Sequence, residues 1–324
     1  MIEVLKPGLM TTVQDLGRPG QRAIGVPMGG ALDTFSLRAA NALVGNADDA
    51  PALEFTLTGP SLRLNHDVVI AICGGRFEIT VNEVALPMWR PLRLGAGSEL
   101  RIGRVQRGAR GYLAFAGGLD VPSVLGGRGC LPGSGFPALA GRPLQEGDRL
   151  RLRGMSLAGR AWPRADIGVR MARWWANPAP VLELDQPAEA LLLPGRDSLA
   201  EPDLLQDSSW RVSARSNRMG LRLEGPALTL AEPASGLSEP VVPGTLQLPP
   251  EGGPILLLAD AQTVGGYPRI GHVARADLPR LAQLAPGEPL RFQLASPETA
   301  IDRLRQMERH LQKLRLAAQQ VMGE

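Results

Sequence analysis

Short apolar runs interrupted by turn residues constrain this chain more than any other feature. Nine recur: Val68–Ile72, Phe77–Val81, Leu100–Ile102, Tyr112–Phe115, Leu150–Leu152, Val181–Leu184, Leu221–Leu223, Ile255–Leu258 and Leu290–Leu294. Runs this short, at this spacing, predict strands built into sheets or barrels. The 39 glycines and 29 prolines among 324 residues supply the turns that such a fold needs. The length exceeds one ordinary domain, so two packed subdomains of roughly 150 residues each are expected. The strand rhythm breaks between Ser156 and Pro180, a segment carrying Trp162, Trp174 and Trp175, and the division is placed there, at residues 1–160 and 161–295. An echo supports two related halves: "TGPSLRL" at Thr58–Leu64 resembles "EGPALTL" at Glu224–Leu230.

Helical signals are few. Asp33 can cap "TFSLRAANALVG", which places Phe35, Ala39, Ala40 and Leu43 or Val44 on one face and ends at Gly45. A short helix is expected near Leu278–Leu281. The long one is residues 296–324, where Ile301, Leu304, Met307, Leu311, Leu314, Ala318 and Val321 recur at steps of three and four. That seam fits packing on its own domain, or a coiled contact with a second copy of the chain.

Charge and composition remove several functions. The formal net charge is +3, and the basic residues are almost all arginine, with Lys6 and Lys313 the only lysines. No basic block is interleaved with aromatics, so nucleic-acid binding is not expected. No stretch approaches the ~18 apolar residues of a membrane helix. The start lacks a basic end followed by an apolar run, so no signal peptide is expected. Two cysteines far apart, Cys73 and Cys130, fit a reduced cytoplasmic protein. Neither lysine follows a glycine-rich phosphate loop or sits in a biotin-carrier setting, so this chain carries no covalent biotin. The three histidines lack metal-site spacing with either cysteine, and no metal is expected.

Polar groups embedded among glycines remain. "TTVQDLGRPG" presents Gln14, Asp15 and Arg18, and "GVPMGGALD" puts two glycines ahead of Asp33, where free helix N–H groups could receive an anion. Asn41 and Glu54 follow, Arg128 stands in "VLGGRGC", and Arg218 in "SNRMGLRL". Glu239 and Gln247 flank "PVVPGT", and "ADAQTVGGYP" carries Asp260, Gln262 and Tyr267. Loop glycines let backbone approach a ligand while neighbouring polar side chains orient it, as a site for a small amide or carboxylate requires.

Together with "AANALVGN", "LEFTLTGPSL", "YLAFAGGLDVPSVLGG" and "DLPRLAQLAPGEPLRF", these stretches run in order from about Met1 to Phe292. The series resembles the family of the 5-oxoprolinase C subunit, the KipA-type proteins, which are allophanate-hydrolase-subunit-like and related to subdomains A and B of the urea amidolyase carboxyltransferase domain. The resemblance implies a mainly β protein of two cyclophilin-like barrel subdomains, with few short helices besides the long C-terminal one. It implies assembly with two further proteins, one of the KipI type and one of the lactam-utilisation type, and ATP hydrolysis by the complex to open 5-oxoproline to glutamate. Mapped onto this sequence, it makes Asp33, Glu54 and Asp260 the acid/base candidates. Asp15, Arg18, Asn41, Arg128, Arg218, Glu239, Gln247, Gln262 and Tyr267 become substrate-binding candidates. Each has a structural alternative, such as bracing a loop or pairing with a neighbour.

Departures from the family pattern are visible. Gly29 replaces a usual serine, Leu32 a methionine, and "GGRGC" at Gly126–Cys130 loses two hydroxyls while keeping Arg128. They bear on substrate identity more than on fold. Two other readings stay open: a carboxyltransferase-like subunit served by a separate biotin carrier, and a non-enzymatic regulatory partner of a KipI-type kinase inhibitor.

Overall fold

The computed structural model describes residues 1–136, 138–154, 168–233 and 236–323. The chain forms two compact units, one of Met1–Gly17, Asp33–Pro180 and Arg309–Glu324, the other of Arg18–Leu32 and Val181–Glu308. The expected boundary at residue 160, and Trp162, lie outside the described residues.

The first unit is built on a ten-stranded sheet. Its spine is an antiparallel pair of long strands, Val68–Val81 and Glu99–Phe115, paired from Ile70 opposite Phe115 to Val81 opposite Leu100. Each long strand absorbs two of the apolar runs. The first bends at Gly74, whose φ is 109° and where a Cβ would come 2.4 Å from the Arg110 carbonyl oxygen, so glycine is required there. The register slips between Gly74 and Ile79, as an interrupted apolar pattern demands. Phe55 and Phe77 meet edge to face, ring centroids 4.9 Å apart, within a core that includes Leu53, Leu62, Ile72 and Phe115. The helix Thr34–Leu43 buries the expected face, Phe35, Ala39, Ala40 and Leu43, together with Leu37. Each large apolar side chain buried this way contributes roughly 1.5–3 kcal/mol.

The second unit is a closed barrel of seven strands. Closure removes the free edges of this sheet, which includes one parallel pair, Ala188–Pro194 beside Pro289–Leu294. Trp210 fills the interior, fully buried, and its indole N–H donates to the Leu205 carbonyl at 3.0 Å. The run Val181–Leu184 forms no strand. Leu182 is buried singly, and Glu183 takes a φ of 40°, which breaks the extended backbone. The sequence echo has a shared physical cause. A Cβ on Gly59 would lie 2.3 Å from Ile102, and one on Gly225 would lie 2.6 Å from Trp210, so each glycine admits a large side chain beside a strand end.

The C-terminal helix is Pro297–Gly323. Of its seam, Met307, Leu311 and Ala318 are buried, Leu304 and Leu314 half-buried, and Ile301 exposed. Arg303 holds Asp277 in the second unit, while Arg315 pairs with Asp48 and His310 faces the Phe35 ring in the first. No helix among the described residues is long and apolar enough to cross a membrane.

Candidate functional site

In the first unit, Asp33 and Glu54 meet through a tyrosine. Asp33 ends the loop before the helix and caps it: Oδ1 accepts from the Ser36 N–H at 2.8 Å and Oδ2 from the Ser36 hydroxyl at 2.6 Å. The Asp33 N–H donates to the Tyr112 hydroxyl oxygen at 2.8 Å, and that hydroxyl donates to Glu54 Oε2 at 2.8 Å. Strand pairing fixes the geometry, because Glu54 lies directly opposite Tyr112. All three are buried. Burial first, then the Glu54 and Asp33 charges, push the Tyr112 phenol well above its ordinary range, so it keeps its proton. The sequence reading missed Tyr112. It lies in an apolar run, and periodicity alone does not show that its hydroxyl reaches two acidic residues.

Asp15 and Arg128 also come together. Asp15 Oδ1 accepts from the Gly17 N–H at 2.8 Å, and Oδ2 from the backbone N–H of Arg128 at 2.5 Å. Cys130 N–H donates to the Val13 carbonyl and the Gln14 amide donates to the Cys130 carbonyl, so the "GGRGC" loop is laced onto the strand Met10–Gln14. The loop approaches so closely that a Cβ on Gly129 would lie 2.8 Å from both Asp15 Oδ1 and Gln14 Oε1. The missing hydroxyl at Gly129 is thus a packing necessity in this chain. Arg128 Nε and Gln14 Oε1 are buried without a hydrogen-bond partner among the described residues. Asn41 stands apart from both groups, its amide donating to the Ala50 carbonyl at 2.8 Å and its Oδ1 accepting from Asn46.

In the second unit, Arg218 and Asp260 form a two-pronged pair, with Nε to Oδ2 at 2.7 Å and Nη2 to Oδ1 at 3.0 Å. Nη2 also donates to the Gly30 carbonyl at 2.6 Å. The backbones agree: Asp260 N–H donates to the Arg218 carbonyl, and Gly29 N–H to that of Ala259. Gly29 and Gly30 take φ values of 61° and 85°, a conformation that suits glycine at both positions, including the one where the family pattern has serine. Arg18 is fully buried and its N–H donates to the Met28 carbonyl.

Gln247, Gln262 and Tyr267 gather around Gly265. The Gln247 amide donates to the Tyr267 carbonyl at 3.5 Å, and a Cβ on Gly265 would come 2.8 Å from Gln247 Nε2 and 3.3 Å from Gln262 Nε2. Arg22 clamps the same segment through the carbonyls of Val241 and Gln262. Glu239 lies on the surface, paired with Arg196 and Arg269, which hold its carboxyl below the usual range. Tyr267, 47% exposed, lines a cavity of about 450 Å³ together with Ser213, Arg215, Arg222, Glu224 and Glu251. Among the described residues no cluster of histidine, cysteine and acidic groups could hold a metal ion. Both cysteines are free and buried.

The chemistry divides accordingly. The acidic candidates Asp33, Glu54 and Asp260 are shielded and committed to local partners, whereas Tyr267 is open to solvent beside a charged cavity. A family model described as carboxyltransferase domain, subdomain A and B, matches residues 24–294. The chain is 38% identical over 320 residues to the 5-oxoprolinase C subunit of Escherichia coli (strain K12), covering 97% of each. It is 33% identical over 319 residues to the protein of the same name from Haemophilus influenzae, covering 97% of this chain and 98% of that one. The crystal structure of the K. lactis urea amidolyase superposes with a TM-score of 0.87 at 30% identity, over 97% of this chain and 20% of that longer one.

Proposed function

The chain belongs to the carboxyltransferase domain, subdomain A and B family, and we propose that it is the C-type subunit of an ATP-dependent 5-oxoprolinase. The single observation carrying this reading is 38% identity over 97% of both chains to a protein of that name. Its partners under this reading are a KipI-type and a lactam-utilisation-type protein, and the assembly opens 5-oxoproline to L-glutamate. A lactam is a resonance-stabilised amide, and ATP, as a substrate of the assembly, would supply the phosphoryl group that activates its oxygen. The Arg218 guanidinium is committed to Asp260 and Gly30 and is not offered to a phosphate.

Within this reading the buried acidic groups act by positioning. The Asp33–Tyr112–Glu54 chain fixes the entry to the helix Thr34–Leu43, Asp15 fixes the Arg128 loop, and Arg218–Asp260 fixes the Gly29–Gly30 turn. Tyr267 and the side chains of its cavity are left to meet a small ligand. Two buried, unbridged thiols suit a reducing compartment, and the cytoplasm is the proposed location.

The likeness to the K. lactis urea amidolyase favours a second reading, a carboxyltransferase-type subunit that works on a carboxylated carrier supplied in trans. Mixing the purified chain with its two partner proteins and following 5-oxoproline-dependent ADP release separates the two. Release that needs all three proteins supports the first reading. A complete mixture that is silent with 5-oxoproline yet turns over a carboxylated biotin carrier supports the second.

A further inference from the structure

The cavity beside Tyr267 has a charge pattern that selects a ligand class. It opens on the outer wall of the second unit's barrel: along the strand Gly220–Glu224, Leu221 and Leu223 are buried while Arg222 and Glu224 are exposed. Arg222 and Glu224 therefore share one face, about 6–7 Å apart along the strand. Arg215 and Glu251 add a second charge of each sign. Elsewhere on this unit Arg196, Arg269 and Arg280 find carboxylates, the first two Glu239 and the third Glu183. Among the described residues, the side chains of Arg215, Arg222, Glu224 and Glu251 make no ion pair although all four line one cavity. Four charges that line one cavity without pairing form a template for a ligand that itself carries both signs.

We propose that this cavity binds a small amino dicarboxylate. Its two carboxylates meet Arg215 and Arg222, guanidinium groups suited to two-pronged recognition. Its ammonium meets Glu224 and Glu251, and its methylenes lie against Ile255 and Pro249, which also line the wall. Ser213, buried at the cavity, and Tyr267 add hydroxyls. The volume of about 450 Å³ falls inside the range of roughly 300–1,000 Å³ usual for small-molecule sites. A nucleotide fits poorly, because its phosphates would face two carboxylates, and a plain dicarboxylate would leave both glutamates without a cation.

The inference rests in part on the oxoprolinase reading, whose product is of this ligand class, and it is tested on this chain alone. Isothermal titration of the intact protein with L-glutamate, glutarate, 5-oxoproline and ATP reads it directly. L-Glutamate is expected to bind, and Arg222→Gln to weaken it by about tenfold or more. Glu251→Gln is expected to weaken L-glutamate while leaving glutarate unchanged. Arg222 and Glu251 are exposed, and circular dichroism and a melting curve verify that each variant folds. Absence of L-glutamate binding, glutarate binding as tightly as L-glutamate, preference for ATP, or indifference to Arg222→Gln would each overturn the proposal. All of these outcomes are independent of whether the three-protein mixture releases ADP.

Discussion

The guanidinium of Arg218 grips the carboxylate of Asp260 through two N–H groups, at 2.7 and 3.0 Å, with both residues only 8% exposed. The third bond, to the Gly30 carbonyl, turns this pair into the clasp of a loop distant in sequence.

Breaking the clasp on one side strands a buried charge. Arg218→Met or Asp260→Leu alone should cost about 3–5 kcal/mol, whereas the double substitution should cost clearly less than the sum. Urea unfolding midpoints of the two single variants and the double one give the answer. Additive losses would mean that the pair is not coupled.

Tyr112 predicts a smaller, sharper effect. Tyr112→Phe removes the bridge and takes one hydrogen bond each from the Asp33 N–H and the Glu54 carboxylate, at a cost of about 1–3 kcal/mol. Joining it to Glu54→Leu should recover part of the loss, because the carboxylate that lost its tyrosine donor is then gone. A double-mutant cycle from thermal or chemical unfolding checks this, and zero coupling would contradict it.

The Gly29–Gly30 turn and the Gly126–Cys130 loop show what the sequence made legible and what it hid. All the apolar runs except Val181–Leu184 did mark strands, but runs separated by Gly74 or by the polar stretch between Ile102 and Tyr112 proved to be halves of single long strands. The carbonyl across the sheet that requires a glycine at this bend leaves no local trace. The Asp33 cap was legible because capping depends on the next three residues alone. Pairings such as Asp15 with Arg128 or Arg218 with Asp260 join positions far apart in the chain, and the glycine-rich stretches around them signalled close approach without naming the partner. Arg215, Arg222, Glu224 and Glu251 escaped notice entirely, since exposed alternating charges look like a solvated face until a cavity collects them.

Gly129→Ala tests the close approach in the first unit. Its φ lies outside the left-handed region, so the cost is steric: the methyl group meets Asp15 and Gln14, both buried and unable to swing clear. A loss of about 1–3 kcal/mol is expected, with faster amide hydrogen exchange at Arg128 as its N–H leaves Asp15. Unchanged protection at Arg128 would contradict the lacing described.

Two carboxylates give opposite pH slopes. Burial raises the Asp277 pKa in spite of its bonds to the Leu191 N–H and Arg303. The folded state therefore holds this proton more tightly than the unfolded state, and the contribution, complete below the ordinary carboxylate value of 3.8, is lost as pH rises through the raised one. Asp148 runs the other way. The Arg142 guanidinium lowers its pKa, so its contribution is present above 3.8 and disappears as pH falls through the depressed value. Subtracting the unfolding free energies of Asp277→Asn and Asp148→Asn from those of the parent protein, from pH 2 to 7, should show a descending and an ascending difference in turn. Slopes of the same sign would refute the assignment.

The most direct test of the functional account is carbon NMR of isotopically labelled 5-oxoproline incubated with ATP and the three purified proteins. The account predicts open-chain L-glutamate and ADP appearing in equal amounts, and neither when this chain is omitted. Ring opening that proceeds undiminished without this chain, or a complete mixture that leaves the lactam intact, would contradict it.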